Sequence, residues 1–153
     1  MKKHIFLLLA CTLLTSCAGK IEVVKPTNDP AGFKQYVLNN PEDGVFTKHN
    51  AEVNYDKVIR TLSDMLRFCF PLGTGKGKAS YEGEIVEKGE GRSALIIKLD
   101  GKIVLVSEIS VGTDLKAVID FFVFGDEAMV DYIDVIISWI DMKTNECTES
   151  KKA

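Results

Sequence analysis

Three groups of residues in this chain have types and spacings that invite a chemical reading. Leu72-Gly73-Thr74-Gly75-Lys76-Gly77-Lys78-Ala79 has the composition of a phosphate-cradling loop. Such a loop needs Gly, four residues, then Gly-Lys-Ser/Thr between a strand and a helix. Here Leu72 stands in place of the first glycine, Ala79 in place of the magnesium-holding hydroxyl, and a helical pattern precedes the stretch. It reads as a soluble glycine loop, with contact to an anionic surface such as lipid headgroups as the alternative. Glu127, Asp131, Asp134 and Asp141 recur at steps of four, three and seven and suggest a cation site or a carboxylate pair. On a helix they spread over about 20 Å at 1.5 Å per residue, so a solvated face is the expectation. For nucleophilic catalysis, His49 has no Gly-x-Ser-x-Gly elbow to serve, and no catalytic residue, cofactor or metal is assigned.

The amino terminus carries a different chemistry. Lys2-Lys3, an apolar run from Ile5 to Leu14 and small residues before Cys17 are the parts of a secretory signal, too short to span a bilayer as a mature helix. Leu14-Thr15-Ser16-Cys17 resembles the lipobox of bacterial lipoproteins. That resemblance implies cleavage before Cys17, a diacylglycerol on its sulfur and acylation of the new amino terminus. Ala18 rather than Asp follows, which in enteric bacteria implies the outer membrane, here with the periplasmic face expected. Two alternatives stand beside this: a plain signal peptide with a chance cysteine, and lipidation at Cys11, which leaves Ile5 to Ala10 as a hydrophobic core shorter than such signals need.

Export also decides the remaining cysteines. Of the four, Cys11 leaves with the signal and Cys17 takes the lipid, so Cys69 and Cys147 form a single pair in an oxidising compartment and are expected to be bonded. Closing so long a loop stabilises a fold by about 4 to 5 kcal/mol on the chain-entropy account. Free buried thiols are the alternative; zinc wants four ligands, and the mature chain adds His49 alone. Removing residues 1–16 leaves 137 of 153 residues, enough for one core. Lys2 and Lys3 depart, so 17 Lys and Arg face 22 Asp and Glu, a balance of −5 that disfavours nucleic acid as a partner.

The elements that must position these groups follow from periodicity. Residues 17–45 read as lipidated terminus and tether, residues 46–149 as a single domain and 150–153 as a tail. Within the tether, Asp29-Pro30 followed by Phe33, Tyr36 and Val37 allows a short helix that docks on the domain or a partner. Tyr55, Val58, Ile59, Leu62, Met65, Leu66 and Cys69 lay an apolar stripe on a helix over about Val53 to Phe70, with Asn54 as N-cap and Pro71 and Gly73 ending it. From 79 to 124 the period drops to two. Turns at Gly89-Glu90-Gly91, Asp100-Gly101 and Gly112-Thr113-Asp114 divide it into a four-stranded antiparallel meander. A largely buried helix from about Asp126 to Lys143 closes the domain, with a strand over Tyr132 to Ile140 as its alternative.

The fold expected is α+β, a two-layer sandwich of helix, four-stranded meander and helix with one disulfide. If both helices cover one sheet face, Val104, Val106, Val118, Phe122 and Phe124 form an apolar set on the other, opposite Ile103, Leu105, Ile119 and Phe121. That set is covered by residues 31–50 or offers a surface to a partner or lipid. With its lipobox, Cys pair and Trp139 helix, the chain resembles small bacterial envelope lipoproteins of uncharacterised function. The resemblance implies an envelope location. The function expected is a membrane-anchored binding or adaptor module without catalysis, with an envelope protein as partner. A periplasmic inhibitor or immunity protein and an amphiphile-binding lipoprotein are the alternatives.

Overall fold

The computed structural model describes residues 28–70, 80–125, 127–143 and Cys147. Residues 1–27, with the expected signal and Cys17, and the glycine-rich stretch after Phe70 lie outside the described residues. The chain forms α1 (Pro30–Asn39), β1 (Gly44–Asn54), α2 (Tyr55–Cys69), β2 (Tyr81–Gly89), β3 (Arg92–Leu99), β4 (Lys102–Val111), a 3-10 turn (Thr113–Leu115), β5 (Lys116–Phe124) and α3 (Glu127–Ile140). The fold is α+β as expected, with five antiparallel strands rather than four, in the order β1-β5-β4-β3-β2. The added strand is β1. It pairs along one edge with β5, and α2 then carries the chain across the sheet to β2 on the other edge.

Local chemistry accounts for each helix. The Asn54 side chain accepts a hydrogen bond from Lys57 N at 2.9 Å, capping α2, whose Val58, Leu62, Met65, Leu66 and Cys69 are buried. Gly83 on β2 lets α2 come close, because a β-carbon there would lie 2.5 Å from a Leu66 methyl. The segment from Tyr132 to Ile140 is helical rather than extended, and α3 buries Met129, Tyr132, Ile133, Ile136, Trp139 and Ile140. These residues meet Leu95, Ile97, Leu105, Ile119, Phe121 and Val123 of the sheet in the main core. Cys69 and Cys147 are bonded, with their α-carbons 5.4 Å apart, so the end of α2 is tied to the chain beyond α3.

The opposite sheet face is occupied by α1, which lies in the segment assigned to the tether. Asp29 caps this helix by accepting from Gly32 N at 2.8 Å, and Pro30 opens it with its φ already near the helical value. Phe33 and Val37 are fully buried in a second cluster with Ala94, Ile96, Ile103, Val106 and Phe122. Burying side chains of that size contributes roughly 1.5 to 3 kcal/mol each, enough to dock a ten-residue helix that would not persist alone. The molecule therefore has a small third layer beneath the expected two.

Candidate functional site

The five residues read as an apolar set, either covered by residues 31–50 or open to a partner, do not all share one face. Val106 and Phe122 are buried under α1, Val118 and Phe124 are half-buried, and Val104 is on the other face altogether. The cause of the last is a bulge. Ile97 is opposite Leu105 while Lys98 is opposite Ile103, so Val104 is an extra residue in β4 and the alternation inverts before it. Ile103 takes the place expected of Val104. Of the two covers considered for this face, the 31–50 segment supplies one through Phe33, Val37 and Phe46, whose ring lies 5.0 Å from that of Phe122.

Beside this apolar cover runs a band of ion pairs. Lys34 of α1 donates to Glu108 of β4, Lys88 Nζ lies 3.7 Å from the same carboxylate, and Lys98 donates to Glu84 at 2.8 Å. Burial pushes the Glu108 carboxyl up, but the hydrogen bond and charge of Lys34, helped by Lys88, outweigh it and hold the group below its usual range. Asp120 has an enclosed Oδ1 without a hydrogen-bond donor among the described residues; Lys48 Nζ at 3.5 Å compensates its charge across the β1–β5 pair.

On the helix face the structure brings together two residues that the sequence kept apart. His49 Nε2 and Asp141 Oδ1 are 2.9 Å apart, and Lys143 Nζ lies 3.0 Å from the other carboxylate oxygen. Their side chains are 20% and 10% exposed, so the contact is sheltered. Burial again works to raise the Asp141 carboxyl, and the hydrogen bonds from His49 and Lys143 reverse that and lower it. Asp141 thus leaves the acidic stripe, while Glu127, Asp131 and Asp134 remain on the solvated face. Among the described residues no group of three or more His, Cys, Asp or Glu is placed to hold a metal ion. Among the described residues, the buried hydroxyls Ser107 Oγ and Tyr132 Oη lack hydrogen-bond partners, and burial pushes the Tyr132 phenol up to about 12.

As Phe68 is near the end of α2, apolar side chains are exposed at one end of the sheet. There the β2–β3 turn meets the β4–β5 turn: Val111 N donates to Gly91 O at 3.0 Å, and a β-carbon on Gly91 would meet a Val111 methyl at 2.7 Å. Asp114 and Leu115 both hold positive φ, 57° and 61°, where a leucine is a genuine outlier. Leu115 is 70% exposed and Val111 40%. Beside them an open depression is lined by Tyr55, Ile59, Arg60, Glu87 and Arg92. The Tyr55 hydroxyl and Ser93 Oγ share a hydrogen bond of 2.6 Å next to it. This rim combines an apolar side chain projecting from strained backbone with charged groups of both signs on neighbouring elements.

No family model and no curated protein matches this chain. The rim was missed in the sequence because Leu115 reads there as the start of a strand. The one available signal was the Thr113-Asp114 turn, which allows left-handed backbone at Asp114.

Proposed function

We propose that this chain is a lipid-anchored envelope protein that works as a binding or structural adaptor module, held to the membrane through Cys17 and engaging a protein partner through the rim. The observation that carries the binding role is Leu115, a large apolar side chain projected into water from a left-handed backbone. Strain of this kind, when no contact within the fold explains it, points to a constraint set by function. The Cys69–Cys147 bond supports the export part of the reading, since structural disulfides persist in oxidising compartments. The lipobox-like Leu14-Thr15-Ser16-Cys17 supports the anchor.

Two measurements test the two halves. Radiolabelled palmitate incorporation is expected to be lost in Cys17→Ser and kept in Cys11→Ser; retention in Cys17→Ser overturns the anchor site. Crosslinked pull-down of the intact protein from its own membranes is expected to recover a stoichiometric partner that Leu115→Asp no longer recovers. Equal recovery by the two forms overturns the rim as the binding surface.

A further inference from the structure

β1 is an edge strand: its inner side pairs with β5 and its outer side with no strand among the described residues. From Gly44 to Asn50 the pairing with β5 runs without a break, so the outer side of this stretch is a regular row of backbone groups open to another strand. Alternation sends Val45, Thr47 and His49 to the helix side and Phe46, Lys48 and Asn50 to the α1 side. Phe46 packs on Phe122 there and is still 50% exposed, and Leu38 near the end of α1 is exposed as well. The other edge, β2, exposes one large apolar side chain, Val86, between Glu84 and Glu87.

The helix side of this edge has an acidic wall. Glu127, Val130, Asp134, Ile137 and Asp141 follow one another at steps of three and four, which lines them along one flank of α3 and the turn after it. That flank faces β1, since Asp141 meets His49 and Val130 shares an open depression with Val45, Phe124, Glu42, Asp43 and Glu127. Glu42, Asp43, Glu127, Asp131 and Asp134 are exposed and have no ionic partner among the described residues. The cations around β1 are already engaged: Lys34 with Glu108, Lys48 with Asp120, Lys116 with Glu52, and His49 and Lys143 with Asp141. On the α1 side Lys88 and Lys98 pair with Glu108 and Glu84, and Lys102 is two strands away on β4, where it lines another cleft. The edge is therefore flanked by uncompensated negative charge on its helix side and by an exposed aromatic ring on the other.

We infer that Gly44–Asn50 receives an extended segment of a partner protein as a sixth strand, its alternate Lys or Arg side chains reaching Glu42, Asp43, Glu127 and Asp134 and its apolar side chains meeting Phe46. Backbone hydrogen bonds hold the segment, and the carboxylates select its charge. A second copy is a poor occupant, because its own edge brings the same carboxylates. This surface depends on neither the Cys17 anchor nor the rim. The test titrates the full-length chain, in neutral detergent, into a fluorescent peptide of alternating lysine and valine that matches Gly44–Asn50 in length, and follows its anisotropy. Saturable binding is expected, weakened about tenfold by Glu42→Lys combined with Glu127→Lys and unchanged by Leu115→Asp. Two control peptides are expected not to bind: one of alternating glutamate and valine, and a lysine–valine peptide N-methylated along its backbone, which keeps the charge and loses the donors. Absence of saturable binding, equal binding of either control, no effect of the paired lysine substitutions, or loss of binding in Leu115→Asp overturns the proposal. So does sedimentation of the chain as a dimer that Phe46→Glu dissociates, since a second copy then fills the edge.

Discussion

Holding an L-residue in the left-handed region costs roughly 1 to 2 kcal/mol, because its β-carbon crowds the following carbonyl. Leu115 bears that cost with its side chain mostly in water, so replacing it removes strain and loses little packing. Leu115→Gly is therefore expected to be neutral or to stabilise the fold by up to about 1 kcal/mol, the glycine's extra unfolded-state entropy offsetting part of the gain. Urea denaturation checks this, and a clear loss of stability would mean that the side chain is packed after all. Asp141 gives the opposite case. Its carboxyl is held below the usual range by His49 and Lys143, so the ionised form stabilises the fold. That contribution is present above the unfolded-state pKa of about 4 and fades as pH falls through the lower folded value. Asp141→Asn should lose about 1 kcal/mol at neutral pH, with the gap from wild type closing below about pH 4 in denaturant titrations. A gap that is constant across that range contradicts the assignment.

Among the elements, α1 and the disulfide carry the sharpest consequences. Phe33 is fully buried against Ile96, Val106 and Phe122, and Phe33→Ala should cost about 3 to 5 kcal/mol by equilibrium unfolding. Reducing the Cys69–Cys147 bond should lower stability by about 2 to 4 kcal/mol, read as a lower melting temperature in the presence of reductant. How far the sequence disclosed these elements depended on how local their determinants are. The α2 stripe, the Asp100-Gly101 hairpin and the alternation of β2 to β5 are written within windows of a dozen residues. The bond followed from cysteine number and compartment. β1 escaped notice because the side chains it turns toward the helices include Thr47 and His49, which break the apolar alternation, and because its partner β5 is distant in the chain. The bulge at Val104 exchanged two faces without altering composition, and the His49–Asp141 contact joins residues 92 positions apart. What stayed hidden was long-range register, which periodicity does not encode.

At the scale of the whole molecule, the two sheet edges are the outward strands β1 and β2. An uncovered edge is a template on which another copy can pair. β2 meets this with Glu82, Glu84 and Glu87, which repel a second copy approaching the same way, and β1 with the irregularity between Asn50 and Asn54, which interrupts its ladder. Resistance to ribbon-like association is thus written into the glutamates of a strand whose inner side is paired with β3.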